Sequence, residues 1–316
     1  LFVSLCTNIQ AQPLHLRCEF TKNPIGIDVT SLRFNWEADV NEKPGLQSGY
    51  RVMVATLPAL LTKGKPDIYD SGITTSESQG VTLSIPKLVS YTRYYWVVTV
   101  FGRNDHKGMV SKVEWFETAK LQGKSGWQAQ WITDGHDKEF RPAPLFRKTF
   151  KLKSKPISAR MYIAGLGYSS IFLNGSKVGV GTLNPGYTDY SKRVLYLTYD
   201  VTKQLSQGYN VIATELGNGW FNNQTPTVWN YNLAPWRARP QMICELHVKY
   251  SDGTQEIISS DKTWKTSTGA LLYDNLYVGS TYDARLEQLG WNSKNFDDTK
   301  WKSVTLTKSP APIIQS

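Results

Sequence analysis

Short apolar runs, each cut off by turn residues, dominate residues 159–220, and no other feature of the chain narrows its fold as far. Met161 to Ala164, Ile171 to Leu173, Val194 to Tyr199 and Val211 to Leu216 are aliphatic, β-branched or aromatic. Gly165, Gly167, Asn174-Gly175, Asn184-Pro185-Gly186 and Gly208 separate them. Runs this short and this rich in β-branched and aromatic residues are strands. Asn174-Gly175 is the clearest hairpin signal, because both residues tolerate the positive φ of a type I′ turn. Four or more antiparallel strands in so short a stretch predict the heart of a β-sandwich.

The same grammar runs through the rest of the chain. Leu32, Phe34 and Trp36 alternate with Arg33 and Asn35, which puts one face of a strand on a core. Tyr50 to Ala55, Thr92 to Val100 and Val113 to Thr118 read as further strands, and 57–64 as one short helix. Trp36 and Trp96 sit inside apolar strands and are read as core anchors. Residues 13–120 are therefore expected to form a fibronectin- or immunoglobulin-like sandwich. The polar, Gly-bearing LQGKSG at 121–126 marks a boundary. A second domain, 121–307, opens with Trp127-Gln128-Ala129-Gln130-Trp131-Ile132. In it Cys244 to Tyr250 turns at Ser251-Asp252-Gly253-Thr254 and returns as Gln255 to Ser259. Ser309-Pro310-Ala311-Pro312 makes 308–316 read as an extended linker to a further domain. Residues 1–12, LFVSLCTNIQAQ, resemble the end of a secretory signal cut before Gln12, which predicts a secreted or periplasmic protein. Cys6 as a lipid-anchored cysteine is the poorer reading, since Leu5 stands where a small residue is wanted.

Charge and cysteine usage narrow the partners. The 316 residues carry 36 basic and 26 acidic side chains, a formal +10. That excess has two readings: lysines guarding strand edges, as in Phe150-Lys151-Leu152-Lys153-Ser154-Lys155, or attraction to an acidic polysaccharide. No basic helix or aromatic-basic motif points to nucleic acid. No stretch reaches the roughly 20 apolar residues of a membrane helix. Cys6, Cys18 and Cys244 are too few and too scattered for a disulfide framework or a metal site, and His15, His106, His136 and His247 are isolated.

Six blocks of the second domain carry a family resemblance. They are Leu173-Asn174-Gly175; Asn184-Pro185-Gly186-Tyr187-Thr188-Asp189-Tyr190; Arg193, Tyr196 and Tyr199-Asp200-Val201-Thr202; Gly217-Asn218-Gly219-Trp220; Trp236-Arg237-Ala238-Arg239-Pro240; and Tyr282-Asp283-Ala284-Arg285. Their order and spacing resemble the N-terminal jelly-roll domain of bacterial α-L-rhamnosidases over about 127–307. Asp70-Ser71-Gly72 and Tyr94-Tyr95-Trp96 resemble the immunoglobulin-like module that precedes it. The resemblance implies an all-β chain, an immunoglobulin-like sandwich followed by a jelly roll, from an enzyme removing terminal rhamnose from plant or algal glycans.

That family's acid and base stand in an α-helical toroid, whereas the acids here, such as Asp189, Asp200, Glu215 and Asp283, fall in strands or turns. Glycoside hydrolysis needs two carboxyl groups flanking the scissile bond. The chain alone is therefore expected to be inactive and to meet the catalytic barrel of its parent as a partner. Asp200 reads as a turn-capping residue. In some members the jelly roll is implied to bind L-rhamnose with calcium. Carried onto this chain, the sugar-binding candidates are Asn174, Asn218, Trp220, Trp229 and Trp236, and the calcium candidates Asn174 and Asn218. Asparagine oxygens suit both a hard cation and sugar hydroxyls, and the tryptophans, with Tyr231, offer faces to a pyranose. Asn174 reads equally as a turn residue and Trp236 as a core filler. Binding members place an acidic residue beside the asparagine, where this chain has Leu173, and that departure weighs against both ligands. A lectin-like module and a rigid spacer stand as alternatives to the enzyme-fragment reading.

Overall fold

The computed structural model describes residues 13–37, 47–102, 108–122 and 126–316. The expected signal remnant with Cys6, and His106, lie outside the described residues. The chain divides into two compact units, one up to Ser125 and one from Gly126.

In the first unit, Leu14–Cys18, Ser31–Glu37 and Gly80–Ser84 form one sheet. Gln47–Ala55 and Arg93–Gly102 are the spine of the other. Period-two alternation explains the packing. Leu32, Phe34, Trp36, Tyr50, Val52, Val54, Tyr94, Trp96 and Val98 share one buried core between the sheets. Their odd-numbered neighbour Met53, with Ala55 and Val97, faces the other way and is covered by Leu61. Leu61 belongs to a single helical turn, Pro58–Thr62, with proline in its first turn where a missing N–H costs nothing.

The second unit is a sandwich of two six-stranded sheets. Leu197–Asp200, Ser158–Leu166, Gln241–Lys249, Trp131–Thr133 and Thr305–Thr307 make the first, with Gln255–Ser259 also on Gln241–Lys249. Ser176–Lys177, Ser169–Leu173, Gly208–Leu216, Pro144–Leu152, Lys265–Thr268 and Lys302–Ser303 make the second. Ala159, Met161, Ile163, Ile171, Leu173, Ile212, Leu216, Met242, Cys244 and Leu246 fill the space between them around Trp264. Cys18 and Cys244 are free and buried, one in each unit. Burial pushes both thiols far up, so neither is a ready nucleophile.

Two expected features fold otherwise. Val194 to Tyr199 is not one strand: Arg193–Leu195 pairs in parallel with Ile313–Gln315, while Leu197–Asp200 joins the sheet beside Ser158–Leu166. The residues expected to form a linker, 308–316, are correspondingly packed, with Ala311 buried and Ile313–Gln315 in a strand. The lysine-bearing end of Pro144–Leu152 does border an open edge, because Lys265–Thr268 reaches only as far as Arg147.

Strand register sets the two ends of this sandwich. Ser169 lies opposite Leu216, and Leu166 opposite Gln241, so the 167–168 turn and the 217–240 loop leave from one end. The 134–143 segment leaves there too, since Thr133 pairs with Gln241 and Leu145 with Glu215. The Asn174-Gly175 turn and the 201–207 connection lie at the other end, where Leu173 meets Ile212. Asn174 has φ 54° and Gly175 φ 86°, the positive values the hairpin turn demands.

Candidate functional site

Three connections meet at the loop-bearing end and lock together. The 217–240 loop is held on one side by the 134–142 segment. Asn222 and Gln224 donate to the Lys138 carbonyl at 2.9 and 2.8 Å, and Arg237 reaches Glu139 at 2.6 Å. Arg239 grips Asp134 through two bonds of 2.9 and 2.6 Å and also donates to the Phe140 and Pro142 carbonyls. Both side chains of that pair are nearly solvent-free. Burial opposes ionisation of Asp134, but the Arg239 guanidinium and the His136 ring and main-chain N–H together outweigh it and hold the carboxyl below its ordinary range.

On its other side the loop is held by a hairpin, Leu271–Asn275 with Gly279–Tyr282. Asp274 accepts from the Asn218 backbone N–H at 2.8 Å and from its amide Nδ2 at 3.1 Å. Asn275 donates to Asn223 at 3.0 Å, and the Tyr273 and Thr225 hydroxyls lie 2.7 Å apart. The Asp274 carboxyl carries no ion-pairing cation at contact distance among the described salt bridges, and burial pushes it up despite these bonds. Glu215 nearby is pushed up as well, first by burial and then by Glu287 and Asp274.

Inside this frame sits a connected group of rings. Tyr187, Tyr231 and Tyr277 each meet Trp220 edge-on, with centroids 5.9, 5.2 and 5.7 Å away. Tyr190 links Tyr187 to Phe221 and Trp236. Tyr190 and Phe221 are buried and root the group in the unit, whereas Tyr187 and Tyr277 are each 45% exposed. The Tyr187 hydroxyl, bonded to Tyr231 and partly buried, is pushed up to about 12, so it stays protonated and able to donate. Trp229, on the same loop, is 70% exposed. Five buried polar atoms of this loop have no hydrogen-bond partner among the described residues: Asn223 Nδ2, Gln224 Oε1, Thr227 Oγ1, Asn232 Oδ1 and Trp236 Nε1. Such atoms are costly in a folded interior unless something else satisfies them.

This combination, an immunoglobulin-like sandwich before a jelly roll whose loops carry the ring cluster, has close relatives. Residues 154–316 match the family described as Alpha-L-rhamnosidase N-terminal domain, and residues 13–122 match the Rha78A-like, N-terminal immunoglobulin domain. The chain belongs to the α-L-rhamnosidase family. An alpha-L-rhamnosidase of Formosa agariphila is 33% identical over 93% of this chain and 33% of its own length. One from Streptomyces avermitilis is 38% identical over 60% of this chain and 19% of its own. In structure, the alpha-L-rhamnosidase from Dictyoglumus thermophilum superposes with a TM-score of 0.87 and 34% identity, covering 96% of this chain and 35% of that one. The chain thus spans about a third of the length of such relatives. It corresponds to their N-terminal region.

Of the residues that the rhamnosidase resemblance singled out, the structure gathers Trp220 and Trp236 into the ring cluster and sets Asn218 beneath it. Trp229 lies further along the same loop. Asn174 is elsewhere. It bonds to Gln204, Asn210 and Val211 at the far end of Gly208–Leu216. From Val211 to Leu216 alone the strand rises roughly 17 Å, so Asn174 and Asn218 cannot share one ion. Their amides are also committed: the Asn174 oxygen accepts from Val211 N–H, and the Asn218 oxygen from Asn222. The calcium expectation placed on this pair does not fit the residues present. Among the described residues, no group of three or more His, Cys, Asp or Glu side chains is placed to hold a metal. The expectation that Asp200 caps a turn holds, since it accepts from Thr202 N–H at 3.0 Å.

Sequence reasoning missed Tyr187, Tyr277 and Asp274 as site residues. Tyr187 lay inside a quoted block. Tyr277 had a local signal, because Leu276-Tyr277-Val278 puts three apolar residues at a hairpin tip where polar ones are usual. Asp274 had none, as its partner is 56 residues away.

Proposed function

We propose that the chain is the non-catalytic front part of an exported α-L-rhamnosidase whose whole form removes terminal α-L-rhamnose from plant or algal glycans. Its own share of the work is to hold rhamnose-bearing glycan at the loop end of the jelly roll. One observation carries this reading: the ring cluster around Trp220 brings Tyr187 and Tyr277 to solvent, and Trp229 of the same loop is exposed as well. Aromatic faces suit the C–H surface of a pyranose. Calcium belongs to the proposal only as a ligand of this loop end, not of an Asn174–Asn218 pair.

Isothermal titration of the whole chain with L-rhamnose, in calcium and again in EDTA, tests it. Heat of binding that disappears in Trp220→Ala supports the reading, and loss in EDTA adds the cation. Wild-type chain that gives no heat in either buffer removes it.

A second reading rests on the aliphatic residues of the same region. Leu183, Val228 and Leu233 are exposed there, and apolar surface of that kind fits protein better than sugar. In this reading the loops pack on the catalytic barrel of the parent, and the unit is a rigid spacer. Absence of rhamnose heat, together with loss of full-length enzyme stability on Leu233→Glu, would favour it.

A further inference from the structure

The hairpin that clasps the loop touches it at successive residues. Tyr273 meets Thr225, Asp274 meets Asn218, Asn275 meets Asn223, and at the tip Tyr277 meets Trp220. The contact with Asn218 falls just before Trp220. Gly217-Asn218-Gly219 is squeezed between the Asp274 carboxylate and the 167–168 turn: a Cβ at Gly217 would come within 2.9 Å of Asp274 Oδ2, and one at Gly219 within 3.1 Å of Gly167 Cα. Gly219 also takes φ 50°. The backbone entering Trp220 therefore has one position, fixed by the acceptor atoms of Asp274 and by glycines that admit them. Asp274 accepts from Asn218 at both the main chain and the side chain, and Asn218 passes the constraint on by accepting from Asn222.

We propose that Asp274 and its hairpin are the positioning element of the glycan platform. Asp274 sets the direction in which Trp220 is presented, and Tyr277 extends the same surface beside it. Asp274 acts through Trp220 and need not touch the sugar. This inference rests on the glycan-holding reading above and assigns the part of the fold that tunes affinity there.

The expectation differs from that for a residue that merely stabilises the unit. Asp274→Ala removes the carboxylate that accepts from the Asn218 and Gly219 main-chain N–H groups, leaves Asn218 Nδ2 only the residue-274 carbonyl, and should leave the core around Trp264 unchanged. Asp274→Asn keeps one oxygen. Titration calorimetry with L-rhamnose on the whole chain, paired with amide hydrogen exchange at Asn218 and Gly219, reads both. Asp274→Ala should weaken L-rhamnose at least tenfold and speed exchange at those two amides. Asp274→Asn should lose only about threefold, and core amides of Gly208–Leu216 should stay protected in both variants. Wild-type affinity in Asp274→Ala, with faster exchange at Asn218, overturns the proposal while leaving the glycan reading standing. Absence of L-rhamnose binding by the wild-type chain overturns both. Should Asp274→Ala fail to fold, Tyr277→Ala at the exposed tip carries the test: a tenfold loss supports the hairpin's role, and unchanged affinity overturns it.

Discussion

Two buried carboxyls at the loop end have opposite relations to pH. Asp134 is held below its ordinary value of 3.8 in the folded state. Its stabilisation is complete above the unfolded value and is lost as pH falls through the lower folded one. Asp274 is raised above 3.8, so the folded chain binds its proton first on acidification. The burial cost of that carboxylate is present at neutral pH and is relieved as pH falls through the folded value. Denaturant midpoints measured from pH 7 to pH 3 should therefore decline less steeply at first in the wild type than in Asp274→Asn, which lacks the relief. Arg239→Ala leaves the Asp134 carboxylate with His136 as its one remaining side-chain partner and should cost about 3–5 kcal/mol at pH 7, most of it regained on acidification. A loss below about 1 kcal/mol would show that the pair is not sealed from water. Such residues were hard to read in advance. Trp220 and Trp236 declare themselves by ring size. Arg237, Arg239, Asn218 and Asn222 find their partners between 56 and 105 residues away where those lie outside the loop. No local pattern records a contact at that separation.

Strands were more legible, because a half-buried strand writes its burial into alternate residues. Leu32, Phe34 and Trp36 show it, and so do Ala159, Met161 and Ile163. Val194 to Tyr199 misled because Val194 and Tyr196 are both buried and no turn residue stands between them. The break is imposed from outside, where Tyr196 N–H donates to the Gln315 carbonyl at 2.8 Å and Arg193–Leu195 runs beside Ile313–Gln315. The Asn174-Gly175 turn offers a clean separation of structure from binding. Asn174→Ala should cost about 1–3 kcal/mol through the Val211 N–H and Gln204 carbonyl that lose its side chain, and Gly175→Ala about 1–2 kcal/mol through its positive φ. Neither should alter L-rhamnose affinity, since the turn lies at the end opposite Trp220. Gly167→Ala sits at the other extreme: its Cβ would meet the Gly217 carbonyl oxygen at 2.2 Å, so the loop entrance must move. Thermal midpoint and rhamnose affinity should then fall together. A Gly167→Ala chain with wild-type affinity would mean that the entrance to the loop is more plastic than its packing implies.

The two units carry separate hydrophobic cores, so residues 13–122 and 126–316 should each give a dispersed proton spectrum when produced alone. A collapsed spectrum from either piece would mean that its core is incomplete without the other. The whole chain should leave an aryl α-L-rhamnoside intact. Turnover that survives repurification and vanishes on changing Glu215 or Asp274 would contradict the non-catalytic assignment. The outline of two sandwiches was open to reading because it depends on local alternation and turns, and the clasped loop was not because it depends on distant pairs. The route of the chain through the second unit also bears on how it is made. Its opening strand, Trp131–Thr133, waits for Gln241-Met242 on one side and Thr305–Thr307 on the other, and Arg193–Leu195 waits for Ile313–Gln315. A ribosome must therefore deliver nearly all of the unit before its first strand is enclosed. Until then the nascent chain exposes Trp131 and Ile132 on an unpaired edge, a state that invites chaperones and, when production outruns them, aggregation.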